Sequence, residues 1–289
     1  MTGRLRSLLF APATRPDLIA KLPRSRPDGV VIDLEDAVAP DAKAEGRANV
    51  QAVLPELIAA ADAPDVFVRV NAVGTPWFDD DVDGGLCDGV AGVVVPKLAS
   101  ADDVATVAGA LARHGRSDLV VVGGIESAAG VLDVNEVLAS PVAAVYFGAE
   151  DFVSDMGGTR RPDNLEVLYA RSRVALAARV AGVVALDMIV SDFGDLDRFR
   201  REAAEARALG YSGKLCIHPS QVAAANEAFV PSSDEVERAR RIVAAHDHAV
   251  AHGQAAVAVD GQMVDEPLAR QARAVIAADD AARSQGSGT

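Results

Sequence analysis

Residues 142–155 read VAAVYFGAEDFVSD, from Val142 to Asp155. The first half is an apolar, β-branched and aromatic run that predicts a buried strand, and it breaks at Gly148 directly into two acids, Glu150 and Asp151. Carboxylates placed where a buried strand runs out mark the end of a sheet or barrel at which α/β enzymes keep their chemistry.

Seven other runs have the same character, each followed by an Ala- and Leu-rich stretch of helical spacing. The eight expected strands are 7–10, 29–34, 66–70, 90–95, 119–122, 143–147, 183–187 and 214–217. Eight βα repeats in 289 residues point to a closed parallel (β/α)8 TIM barrel, although a doubly wound open sheet shares the local pattern. The first strand is not followed by GxGxxG, which weighs against the dinucleotide-binding version of that open sheet. In a barrel all eight C-terminal strand ends open on one face, and the polar residues of this chain gather there, down to Asp187 after the seventh strand and His218 after the eighth.

The pattern continues past the barrel. Ser232 and Glu235 have capping-box spacing and open an extra helix reaching about Gln254. An Asp260-Gly261 turn signal and a last helix from Pro267 to about Ala282 follow. The expected organisation is a barrel over 1–230, a C-terminal helical extension over 231–283 and a disordered tail over 284–289.

Composition narrows the function classes. With 28 basic and 42 acidic residues the net charge is −14, which argues against broad nucleic-acid or anionic-membrane binding and leaves room for a local basic pocket. The two cysteines, Cys87 and Cys216, have neither disulfide-framework nor zinc-ligand spacing. With no stretch approaching about 20 apolar residues and an N-terminal apolar run too short for a signal peptide, the expectation is a soluble cytoplasmic protein.

Glu126 and Asp151 fall at the ends of consecutive strands, and two neighbouring carboxylates suit a hard divalent cation such as Mg²⁺, which keeps open positions for substrate oxygens. Each acid could instead cap the helix that follows it. Arg69 ends the third strand, where its fork suits a substrate carboxylate or a structural pair with Asp33, Glu35 or Asp36. Arg15, Lys21 and Lys97 are candidate anion binders or solvated surface cations. His218 is either a general base or a residue bonding backbone where the barrel closes; the other four histidines read as surface. Asp265, judged by position alone, is a helix N-cap.

Taken together, RSLLFAPATRP, VVIDLEDAVAPDAK, VRVN, VVVPK, IESAAGV, GAEDF, GYSGKLCIHPSQ and GQMVDEP resemble the citrate lyase β-subunit-like family within the HpcH/HpaI aldolase superfamily, over nearly the whole chain. The resemblance implies a trimeric, Mg²⁺-dependent (β/α)8 lyase that cleaves or forms carbon–carbon bonds in β-hydroxyacyl-CoA thioesters such as malyl-, citramalyl- or citryl-CoA, with acetyl-CoA and a 2-oxo acid as partners. By the same resemblance, Glu126 and Asp151 are the metal ligands and Glu150 is not. Arg69 holds the oxo-acid carboxylate, and Arg15 and Lys21 lie near CoA or substrate. Asp265 reaches a neighbouring subunit's site as acid or base. Ser127 replaces the family's more common threonine and keeps the hydroxyl. The alternatives are a CoA-independent class II aldolase and a non-catalytic acyl-CoA-binding subunit.

Overall fold

The computed structural model describes residues 5–59 and 63–286. The strands β1 Ser7–Pro12, β2 Gly29–Asp33, β3 Asp65–Arg69, β4 Gly92–Val95, β5 Val120–Ile125, β6 Ala144–Phe147, β7 Val184–Asp187 and β8 Gly213–Cys216 form a closed barrel in sequence order. All pairings are parallel, and β8 returns to β1 through the register Ser7 to Lys214. The helices around it are α1 Pro16–Ile19, α2 Lys43–Ile58, α3 Phe78–Gly84, α4 Ala101–Arg113, α5 Ala128–Leu132, α6 Val134–Leu138, α7 Ala149–Asp155, α8 Leu168–Ala181, α9 Leu196–Leu209 and α10 Pro219–Ala228.

The strands are valine-rich because both faces are covered, and their period-two alternation divides the core into two layers. One face of the alternation, with Leu8, Val31, Phe67, Val94, Val122, Ala144, Tyr146, Leu186 and Leu215, fills the barrel interior. The residues between them, such as Leu9, Val30, Val68, Val93 and Val145, pack with helix residues including Leu54, Val107, Val174 and Phe199.

Two strand readings change for physical reasons. The fifth strand continues through Gly123 and Gly124 to Ile125 instead of ending at Val122. These glycines answer crowding, not turning: a Cβ on Gly123 would lie 2.8 Å from Leu98 Cδ1 and one on Gly124 would collide with the Tyr146 hydroxyl. Asp187 does not join the barrel mouth. It is fully buried on the outer face, where Arg171 Nε and Nη2 donate to its two oxygens at 2.7 and 3.0 Å and Lys214 Nζ also donates. A buried charge set of this kind persists because each member is paired.

By its packing the chain forms two units, Met1–Phe229 and Val230–Thr289. The second contains α11 Ser233–Ala251, a hairpin of β9 Val257–Val259 and β10 Gln262–Val264, and α12 Glu266–Gly286. Ser232 and Glu235 make the reciprocal capping box that starts α11. Asp260 and Gly261, at φ 49° and 77°, supply the two positive-φ positions of a two-residue hairpin turn. Ala239 and Ile242 on α11 pack with Val264 and with Ala272 on α12. His246, expected at the surface, is buried among these elements at 2% exposure, because it falls on the inward stripe of α11 that also carries Ala239 and Ile242. Helix α12 runs to Gly286, three residues into the stretch expected as a tail; residues 287–289 lie outside the described residues. Among the described residues no helix is long and apolar enough to cross a membrane.

Candidate active site at the barrel mouth

Counting by two along the interior face past each strand end leads to the site. Val31 leads to Asp33 and then Glu35, Phe67 to Arg69, Val122 to Gly124 and Glu126, and Ala144 to Tyr146 and Gly148. Each polar group is therefore the next inward position after the apolar plug of the barrel, at the C-terminal face.

Glu126 is 2% exposed and stands beside β6, whose register pairs Ile125 with Phe147. The Tyr146 hydroxyl donates to its Oε1, while Oε2 is buried and has no hydrogen-bond partner. Burial pushes the Glu126 carboxyl up to about 7; the tyrosine bond opposes that rise. Burial, then the Glu126 charge, holds the Tyr146 phenol well above its ordinary value. Two glycines make the room: a Cβ on Gly148 would lie 2.6 Å from Glu126 Cγ, and one on Gly124 would overlap Glu126 Oε1.

Neither acid of the expected pair serves as a helix cap. Ser127 caps α5 by accepting from Gly130 N at 3.1 Å, and Asp155 accepts from Ala128 N at 2.8 Å, so Glu126 is free of that task. The N-cap of α7 is Gly148, which places Asp151 in the first turn with a partly exposed carboxylate. Lys97 Nζ approaches Asp151 Oδ1 at 3.4 Å, Glu35 Oε1 at 2.8 Å and Asp36 Oδ2 at 3.2 Å. Burial disfavours the Lys97 ammonium, but the bond to Glu35 and the surrounding carboxylates raise its pKa. Glu150 turns instead to Arg160 at 3.0 Å.

Arg69 takes the structural partners that its position allowed. Its Nε and Nη2 donate to Asp33 at 2.7 and 2.6 Å, and Nη1 lies 3.0 Å from Glu35. Burial works against the guanidinium, and Asp33 more than offsets it, holding the pKa well above the ordinary arginine value. Arg69 also lines a cavity of about 450 Å³ with Phe10, Pro12, Asp33, Asp36, Ile189 and Ile217; Glu126 and Asp151 are not among its lining residues.

The other candidates lie elsewhere. Arg15 and Lys21 are half-exposed at α1 and both face Asp17, at 2.8 and 3.9 Å. His218 caps α10 by accepting from Ser220 N and stacks on Phe193 with ring centroids 4.9 Å apart, which is the backbone-bonding alternative. Asp265 belongs to the second unit and caps α12, its Oδ1 accepting from Leu268 N at 3.4 Å. The residue choice drawn from sequence omitted Tyr146 and Lys43. Lys43 is buried and donates to the Leu34 and Glu35 carbonyls at 2.7 and 2.8 Å, fixing the loop that carries Glu35. Inward parity within AVYF signals Tyr146; Lys43 has no comparable local signal.

Among the described residues no group of three or more His, Cys, Asp or Glu side chains converges as a cation site. The pair Glu126 and Asp151 nevertheless fits a hard cation that keeps several waters: two carboxylates, one carrying an unpartnered buried oxygen in a pocket cleared by glycine.

A family model described as HpcH/HpaI aldolase/citrate lyase matches residues 6–219. The chain is 51% identical to a citrate lyase subunit beta-like protein of Deinococcus radiodurans, over 94% of this chain and 96% of that one. It is 36% identical to an L-malyl-CoA/beta-methylmalyl-CoA lyase of Cereibacter sphaeroides, over 94% and 93% of the two chains. Among solved structures, CitE from Mycobacterium tuberculosis in complex with magnesium, acetoacetate and coenzyme A matches with a TM-score of 0.82 at 31% identity, covering 97% of this chain and 100% of that chain. The chain belongs to the HpcH/HpaI aldolase/citrate lyase family and is a citrate lyase β-like carbon–carbon lyase.

Proposed function

We propose that the protein cleaves, and in reverse forms, the carbon–carbon bond of a β-hydroxyacyl-CoA of the malyl-, citramalyl- or citryl-CoA class, giving acetyl-CoA and a 2-oxo acid. The observation that carries this reading is the buried, half-unpartnered Glu126 carboxylate at the barrel mouth, within reach of the charge of Asp151. Glu126 and Asp151 would hold Mg²⁺, which when bound polarises the substrate hydroxyl and the carbonyl that forms from it.

The residues of the chain divide the remaining work. Arg69, oriented by Asp33 on the cavity wall, meets the carboxylate of the oxo-acid portion. Tyr146 fixes the rotamer of Glu126 through its hydrogen bond. The apolar wall of Phe10, Ile189 and Ile217 limits water beside the breaking bond. Arg15 and Lys21, half-exposed after β1, suit the phosphates of CoA. Asp265 of another copy of the chain supplies the proton to the acetyl-CoA enolate, or removes it in the condensing direction.

That role makes the protein a homo-oligomer, and we assign a trimer. An exposed apolar stripe around α8, with Leu165, Tyr169, Leu176 and Val180, supports association between copies. The cytoplasm is the compartment we assign to this acyl-CoA chemistry.

Assay of malyl-, citramalyl- and citryl-CoA in parallel with Mg²⁺ tests the reading. Cleavage of at least one, lost in Glu126→Ala and Asp151→Ala, is the expected result. Full activity in both variants overturns the metal assignment, and turnover of free hydroxy-oxo acids indifferent to CoA makes the protein a class II aldolase.

A further inference from the structure

Lys97 follows β4 and Pro96 with φ 56°, the left-handed region that non-glycine residues seldom adopt. The turn is tied to the neighbouring strand, where Leu98 N donates to Gly124 O at 2.9 Å. Strain of this kind persists where surrounding structure over-determines it, and it concentrates at functional sites. Here it aims the ammonium of Lys97 at carboxylates from two separate segments: Glu35 and Asp36 in the loop after β2, and Asp151 in the first turn of α7. The contacts are unequal. Glu35 at 2.8 Å is a short hydrogen bond, whereas Asp151 at 3.4 Å is the longest and carries no hydrogen bond in proper geometry.

We propose that Lys97 is the resident counter-ion of the cation position. In the metal-free chain its ammonium neutralises Asp151; a divalent cation binds by displacing it from Asp151, while Glu35 and Asp36 keep the side chain anchored. The inference rests on the reading of Glu126 and Asp151 as metal ligands. Its physical basis is repulsion: an ammonium and a dication on the same carboxylate oppose each other strongly in a partly desolvated site. Lys97 thus keeps the acids of the mouth from repelling one another when no metal is present, and lowers metal affinity in return.

The test is Mn²⁺ binding by calorimetry to the full-length, chelator-treated protein at fixed pH and ionic strength, with no substrate present. Lys97→Met, which keeps the apolar stem and removes the charge, should bind Mn²⁺ about tenfold more tightly than wild type. Lys97→Gln is the second neutral variant should the first not fold, and Lys97→Arg, which retains the charge, should bind like wild type. Asp151→Asn should weaken binding. Unchanged or weaker affinity in the neutral variants, with Asp151→Asn still weakening it, overturns the role of Lys97 alone. Failure of wild type to bind Mn²⁺, or indifference of binding to Asp151→Asn, overturns the metal reading and this inference with it.

Discussion

The Tyr146 hydroxyl donates to Oε1 of Glu126 and leaves Oε2 of the same carboxylate buried without a partner. One oxygen is positioned and the other is buried without a partner, an arrangement that is costly for an ionised carboxylate and suited to a cation.

That cost sets opposite pH trends for stability and for metal binding. In the metal-free chain the Glu126 pKa of about 7 stands above that of an unfolded glutamate, about 4.3, so over this window the folded chain holds a proton that the unfolded chain has released. The stabilising contribution is complete below the unfolded value and is lost as pH rises through about 7. Metal binding needs the ionised carboxylate, so Mn²⁺ affinity should rise over the same range, with proton release on binding at its lower end. Calorimetry in buffers of different ionisation enthalpy measures that release. Affinity that does not change between about pH 6 and about pH 8 would remove Glu126 as a ligand.

Tyr146→Phe removes the hydrogen bond that favours the ionised form of Glu126 and should move the midpoint of pH-dependent Mn²⁺ binding upward by on the order of one pH unit. A midpoint that stays put would show that the tyrosine is packing, not tuning.

Gly148→Ala tests the cleared pocket by sterics alone. Gly148 has φ −99° and ψ 94°, which alanine adopts freely, yet the new Cβ would meet Glu126 Cγ at 2.6 Å and Cδ at 3.0 Å. The variant should fold, by circular dichroism, and bind Mn²⁺ at least about tenfold more weakly because the carboxylate must move. Gly109→Ala in α4, where the new Cβ meets only the tip of Arg113 at 3.8 Å, is the control and should leave binding unchanged.

The barrel was legible because apolar runs of period two alternate with helical stretches, and all eight strands lie within three residues of the positions read from sequence. Two of its errors, at Asp187 and His246, share one cause, which is that sequence pattern does not say which face a residue takes. Gly123 and Gly124 read as a break although they are thin places in a continuous strand, and Asp187 read as a mouth residue although it points outward to Arg171. His246 read as surface for the same reason. Glu126 and Asp151 could be read together because strand ends of a parallel barrel are adjacent. Their surroundings were not: Lys97 reaches Asp36 and Glu35 across more than 60 residues of chain, and a contact of that separation leaves no local trace.

The outward cluster carries a stability prediction. Arg171, Asp187 and Lys214 are each no more than 1% exposed, with Glu202 beside Lys214 at 3.7 Å. Asp187→Asn leaves two buried cations without their shared partner and should lower the unfolding free energy by about 3–5 kcal/mol. Urea unfolding measures it, and a loss under about 1 kcal/mol would mean that water or rearrangement relieves the charges.

Asp265 separates two roles that its position confounds. As the cap of α12 it accepts from Leu268 N, and asparagine caps a helix about as well as aspartate. Asp265→Asn should therefore keep the thermal midpoint and Mn²⁺ binding while lowering turnover by about a hundredfold or more, the range of a lost general acid or base. Asp265→Ala should lose, in addition, about 1 kcal/mol of stability in the second unit. An Asp265→Asn enzyme of unchanged rate would leave the residue a cap and nothing else. Mixing chains places the residue: Glu126→Gln and Asp265→Asn should each be strongly impaired alone, and co-refolded oligomers should regain activity only if one site takes Glu126 from one copy and Asp265 from another. A mixture as inactive as its parents would confine Asp265 to the site of its own chain.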